Sequence, residues 1–138
     1  MERNRYSSKE NNLKEVLLLE LIGKDIAEIA ANSALDRRAL DVVILDLKGL
    51  SSFADYFVIC SGTSDTHVDG IARNIEDKLD EKGIKIWHRE GERRSTWLLL
   101  DYIDVIVHIF LKDTREFYSL ERLWGDAPRT IVEYKKDQ

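Results

Sequence analysis

One cysteine, one proline, one methionine and seven glycines are spread over 138 residues, and each scarcity removes a class of protein. The single thiol, Cys60, leaves no disulfide framework within the chain and no multi-cysteine metal site; it reads as a small buried hydrophobe in a strand. No segment repeats and none is low-complexity. Basic groups are outnumbered, 21 against 26, giving −5 with neutral histidines. A general phosphate-backbone binder would show a basic face and a high pI. An acidic chain suits a basic protein partner instead, and electrostatic steering favours that encounter. No apolar run approaches the roughly 18 residues of a membrane span. The N-terminus mixes Glu2 and Glu10 with Arg3, Arg5 and Lys9 around no apolar core, unlike a signal peptide. Cytoplasm is the expected compartment.

What remains is an ordinary globular composition, 43% hydrophobic and 34% charged, in a length that suits one domain. Its densest apolar stretch runs from Thr96 to Leu111. There Trp97–Leu100 and Val105–Phe110 flank the joint Asp101-Tyr102-Ile103-Asp104, which predicts an antiparallel hairpin. Asp41–Leu47 and Asp55–Cys60 predict two neighbouring strands joined by a short loop, and Ile84–His88 a third before the hairpin. Leu17, Leu21, Ile22, Ile26, Ile29, Ala30 and Leu35 suit a helix over 13–38, with a break available at Gly23 and Asp25 placed to cap a second segment. The surplus apolar residues Leu18 and Leu19 predict a weak homodimer. Val68, Ile71, Ala72, Ile75 and Leu79 recur at helical spacing after Ser64, a natural N-cap, and before Gly83, a natural C-terminal stop. Asp113 and Glu116 match a capping box for a helix to Trp124. The expectation is an α+β domain over 13–126 with a mixed five-stranded sheet and flanking helices. A disordered tail precedes it at 1–12 and an irregular one follows at 127–138.

Catalytic constellations are poorly represented. The turn Ser61-Gly62-Thr63-Ser64 could offer backbone N–H groups to an anion but lacks the lysine and glycines of a phosphate loop. Asp101 and Asp104 suggest a metal-dependent nucleotidyl-transfer site, yet residues three apart on one strand face opposite ways. Capping their turn is the plainer role. His108 shares strand parity with Ile106 and Phe110 and reads as a histidine satisfied by a carboxylate or carbonyl. Neither a cofactor nor a metal is expected, and no Ser or Cys nucleophile is paired with a base. Trp97, Tyr102, Phe117, Tyr118 and Trp124 crowd the last third of the chain. Tyr102, at a turn tip flanked by acids, is expected to be exposed as an anchor for a basic partner.

Five segments carry a resemblance: Asp41–Leu47, Asp55–Ser64, Trp97–Tyr102, Asp104–Phe110 and Arg115–Trp124. In this order and spacing the chain resembles the ribosomal silencing factor family, also called Iojap-like, over about residues 25–126. The resemblance implies a non-enzymatic translation repressor that binds ribosomal large-subunit protein 14 and sterically blocks association of the small and large subunits under nutrient limitation. A role in large-subunit maturation is implied as well. It implies a nucleotidyltransferase-like fold without the catalytic carboxylates. The contact with the ribosomal protein carries over onto Trp97 and Tyr102, with Asp101, Asp104 and His108 as neighbouring motif residues. Ile103 stands where the family usually has glycine. The reading from another class is a nucleotide- or metal-dependent nucleotidyltransferase-like enzyme, which needs carboxylates converging beside Gly62.

Overall fold

The computed structural model describes residues 9–92 and 95–134, the side chains of 9–12 and 14–21 excepted. Its elements run α1 (Lys9–Asp36), β1 (Leu40–Asp46), β2 (Tyr56–Gly62), α2 (Asp65–Glu81), β3 (His88–Glu90), β4 (Trp97–Asp101), β5 (Val105–Leu111), α3 (Lys112–Tyr118), α4 (Leu120–Leu123) and β6 (Arg129–Val132). The strands form one sheet in the order β3-β4-β5-β2-β1-β6. Among the described residues only β2 and β5 pair in parallel; every other neighbour is antiparallel. The α+β class and the mixed sheet stand, with six strands among the described residues rather than five.

Two cores follow from strand alternation. Leu98, Leu100 and Tyr102 of the β4 ribbon and Val105, Val107 and Ile109 of β5 face α1 and α2, among Ala27, Ala30, Ala31, Val68, Ile71 and Ile75. The small residues of α1 let it lie close against α2 and the sheet. Val43, Leu45, Phe57, Ile59 and Phe110 face the other way, covered in part by Leu120 and Trp124. The middle strand β2 is buried along its whole length, as a strand covered on both faces must be. Cys60 lies there, and burial pushes its thiol up to about 12.

Several expectations are corrected. Helix α1 is continuous from Lys9, so residues 9–12 are not tail, while 1–8 lie outside the described residues. Gly23 does not break it: the glycine is buried against the Tyr56 ring, where an added Cβ would come within 3.6 Å. The Leu18 and Leu19 side chains, on which the homodimer expectation rested, lie outside the described residues. The strand expected over 84–88 is shifted to His88–Glu90. In the C-terminal tail, 129–132 is a strand on β1, and 135–138 lie outside the described residues. Asp113 makes no capping bond, because α3 starts directly off β5 with Leu111 as its extended N-cap. The helix then breaks at Ser119, whose φ of 47° is left-handed. Helix α2 is as expected, with Ser64 Oγ accepting from the His67 N–H at 3.1 Å.

Candidate functional site

Strand parity decides which of the candidate residues share a surface. Trp97, Leu99 and Asp101 alternate onto one face of β4, opposite Phe110, His108 and Ile106 of β5. This face is only partly roofed by α3 and α4, and Trp97, Leu99, Asp101 and Ile106 are all half-buried. Trp97 sits at the centre of an aromatic group. Its ring lies 4.9 Å from that of Phe110 and 4.7 Å from that of Tyr118, centroid to centroid. Beyond it on α3 and α4, Phe117 is 80% exposed and Leu123 73%. Phe117, its ring 5.1 Å from that of Tyr118, extends the apolar surface outward from the half-covered Trp97, the kind of patch that partners cover.

His108 underlies this patch. It is 4% exposed, and Trp97 Nε1 donates to its Nδ1 at 3.1 Å. Burial holds its imidazole down at about 4. The expected carboxylate or carbonyl partner is absent among the described residues; an indole takes that place, and Nε2 has no partner.

Tyr102 corrects the sequence reading. It is 6% exposed and packs on the helix side, not at the tip. Its N–H still bonds Val105 O at 2.8 Å, so the residue keeps the parity of Leu98 and Leu100. Among the described residues its hydroxyl has no partner, and burial raises the phenol well above its ordinary value. The exposed residue of the turn is Ile103, at 59%. Thus Trp97, Asp101 and His108 come together on one face, Tyr102 lies behind it, and Asp104 stands at the turn.

The two aspartates do structural work. Asp101 Oδ1 accepts from Ile103 N–H at 2.7 Å, the turn cap. The Asp104 carbonyl accepts from both Asp55 and Tyr56 N–H, tying the hairpin tip to the start of β2. Its carboxyl is raised above the usual range, by desolvation and then by the Asp55 charge. Gly62 closes the far end of β2, about 20 Å away at roughly 3.3 Å per residue, so these acids do not converge on the Gly62 turn. Beside that turn is a cavity of about 350 Å³ lined by Asp41, Ser61, Arg115 and Glu121 among others. Arg115 occupies its wall, bonded to Glu121 through two nitrogens at 3.1 and 2.8 Å, to Asp41 O at 2.6 Å and to Ser61 Oγ at 3.0 Å. Among the described residues no three His, Cys, Asp or Glu side chains gather as a metal would need.

Parity could have found Leu99 and Ile106, which alternate with the helix-facing residues. Leu123 carried no such signal, because the break at Ser119 that starts α4 is not marked by glycine or proline.

An α+β sheet with an aromatic, half-covered face has the makings of a protein-binding factor. The family described as ribosomal silencing factor during starvation matches residues 23–138, and the chain belongs to that family. The ribosomal silencing factor RsfS of Bacillus subtilis is 48% identical over 115 residues, spanning 83% of this chain and 98% of that one. A crystal structure from Bacillus halodurans superimposes with a TM-score of 0.69 at 38% identity, covering 79% of this chain and 99% of its own. One from Chromobacterium violaceum does so at 0.73 and 29% identity, covering 81% and 93%.

Proposed function

We propose that this protein represses translation without catalysis, by docking on ribosomal large-subunit protein 14 and standing where the small subunit would join. Membership of the ribosomal silencing factor family carries this reading. The Trp97 face supports it, since a steric block needs a rigid, apolar anchor rather than a cleft. In this reading Trp97 contacts the ribosomal protein directly, with Leu99 and Ile106 beside it. Asp101 and Asp104 at the turn face basic groups of the partner. His108 and Tyr102 act from beneath, holding the face.

Co-sedimentation with isolated large and small subunits tests the function. The protein should pellet with large subunits and reduce their joining with small ones. Pelleting with small subunits alone, or with neither, would overturn it. Trp97→Ala tests the site: loss of an aromatic hot spot should weaken binding by about thirtyfold, with circular dichroism confirming the fold. Binding should weaken moderately with salt, without the steep slope of many phosphate contacts. A folded Trp97→Ala protein that binds and blocks joining like the wild type would remove this face from the reading.

A further inference from the structure

A groove runs between helix α1 and strand β6 on the helix side of the sheet. Thr130 and Val132 of β6 lie directly opposite Ile44 and Val42 of β1. Side chains opposite one another share a face, so both lie on the side where α1 packs. On α1, Glu28, Asn32, Leu35 and Asp36 recur at three- and four-residue spacing, which is one stripe of a helix. The hollow between this stripe and the strand measures about 530 Å³, and Ile44, Val132, Glu133 and Tyr134 line it as well. From Glu28 to Asp36 the helix rises about 12 Å, and β6 extends roughly 13 Å, so wall and floor match in length.

Floor and rim differ in chemistry. Leu35, Ile44 and Val132 give an apolar floor, and Tyr134 stands at its end 66% exposed. The charged groups of the rim are Glu28, Asp36 and Glu133, and among the described residues lining the groove there is no lysine, arginine or histidine. Arg37 and Arg38 follow Asp36 but do not line it. Elsewhere carboxylates are matched: Asp46 by Lys48, Asp80 by Lys85, Glu76 by Arg89 and Glu121 by Arg115. The three rim carboxylates make no ion pair among the described residues. A smaller hollow of about 340 Å³ shares Glu28, Ile44 and Thr130 and continues the groove to Lys48. There the ammonium is already taken by Asp46 and the Tyr56 hydroxyl, at 3.1 and 2.6 Å. Uncompensated negative charge therefore gathers at the Asp36 and Tyr134 end.

From this geometry we infer that the groove receives a short amphipathic segment of another protein, rich in lysine or arginine. Its apolar side chains rest on Ile44, Val132 and Tyr134, and its cations meet Glu28, Asp36 and Glu133. An amphipathic segment laid along an apolar groove is a recurring mode of recognition, and complementary charge selects the partner and its direction. Nucleic acid, whose phosphates need cations, is repelled by this rim. A polyamine would bring the cations but no side chains for the apolar floor. The groove lies on the helix side near the β1–β6 edge, whereas Trp97 lies on the opposite face at β4. The inference therefore stands apart from the ribosomal reading.

A fluorescent synthetic peptide that alternates pairs of lysines with pairs of leucines tests it, titrated with the full chain and read by anisotropy. The wild type should bind it saturably in physiological salt. Glu28→Lys/Asp36→Lys should weaken binding about tenfold or more. Asp77→Lys/Glu81→Lys makes the same change in net charge at exposed positions of α2 and should alter binding less than about twofold, because salt screens distant charge. Tyr134→Ala should weaken it about fivefold. In the complex the amide resonances of Asn32, Thr130 and Val132 should shift, and those of Leu99 and Ile106 should not. No saturable binding, equal loss in the two double variants, or shifts confined to other parts of the molecule would each overturn the inference. Displacement of the peptide by an equal charge of spermidine would overturn it too, giving the groove to a polyamine. A chain ending at Tyr134 that binds the peptide about tenfold more tightly would give the groove to Lys135 and Lys136 of the same chain. Peptide affinity that falls as protein concentration rises would give it to a second copy. The substituted side chains are exposed, and circular dichroism separates loss of binding from loss of fold.

Discussion

The Trp97 indole N–H points at Nδ1 of His108 across 3.1 Å, and that bond assigns the imidazole's proton. Nδ1 accepts, so the neutral ring carries its hydrogen on Nε2, which is buried without a partner. Protonating Nδ1 would put two donors face to face and place a charge among Phe57, Trp97 and Phe110. Two effects thus oppose the cation, and burial alone already brings the group to about 4.

The pH dependence follows with a definite sign. In the unfolded chain histidine titrates near 6.5, so between about 6.5 and 4 the unfolded state binds more protons than the folded one. Stability from this group is complete above 6.5 and is lost as pH falls toward 4, by about 3 kcal/mol. His108→Asn keeps an acceptor near Nδ1 but does not titrate. Denaturant unfolding of both proteins between pH 7.5 and 4 should show the wild type losing that amount relative to the variant. The comparison removes the contributions of Asp104 and Glu76, whose raised carboxyls act in the opposite sense. Parallel pH profiles for the two proteins would contradict the arrangement.

Tyr102 should behave as a core residue. Removing the ring leaves a cavity beneath α2, and Tyr102→Ala should cost about 3–5 kcal/mol, as large aromatic truncations do. The hydroxyl alone is another matter. A buried polar atom without a partner is a net cost, so Tyr102→Phe should leave the melting temperature unchanged or raise it. Large-subunit binding by Tyr102→Phe should match the wild type. A drop in melting temperature for this variant would show that the hydroxyl is bonded after all.

The reach of the sequence can be traced through individual residues. Helix α2 was legible because Val68, Ile71, Ala72, Ile75 and Leu79 repeat at helical spacing between a capping serine and a terminal glycine, and all five are buried. The hairpin was legible because its two apolar runs are pinned by an acidic joint. Tyr102 was misplaced because that joint looked four residues long. Its bond to Val105 keeps it in strand register, leaving only Ile103 and Asp104 at the tip. Strand β6 was hidden by its shortness: Thr130, Ile131 and Val132 follow a proline, and only the partner β1 makes them a strand. Helix α1 runs on through Gly23, which packs against the distant Tyr56 ring, a tertiary contact that no local pattern encodes.

Arg115 should prove a structural clamp. Its guanidinium ties α3 to α4 through Glu121 and to the sheet through Asp41 O and Ser61 Oγ. It also meets the backbone where Asp41 takes a left-handed φ of 49° and the β1–β2 register slips. Truncation to Ala would leave Glu121 uncompensated and should cost about 3–5 kcal/mol. Arg115→Lys keeps the charge but not the fork, so it should recover only part of that loss. Equal stability of the Lys variant and wild type, in urea unfolding, would show that charge alone suffices.

Ile103 poses the sharpest trade-off between stability and surface. Its φ is 76°, and Asp104 N–H bonds Tyr102 O at 3.0 Å around it, the pattern of the strained γ-turn. A β-branched residue in that region is disfavoured by about 1–2 kcal/mol relative to glycine. The chain nevertheless holds isoleucine there, with Asp101 Oδ1 fastening its N–H and the side chain displayed to solvent. Glycine is the residue the resemblance places at this position. Ile103→Gly should therefore raise the unfolding free energy by about 1 kcal/mol, read from the urea midpoint at unchanged slope. If the tip touches the ribosomal partner, the same change should weaken large-subunit binding several-fold, because an exposed apolar anchor is removed while the fold improves. Ile103→Ala separates the two effects, since it removes the anchor but keeps most of the backbone strain. A less stable Ile103→Gly protein would contradict the strain, and unaltered binding by both variants would remove the tip from the contact.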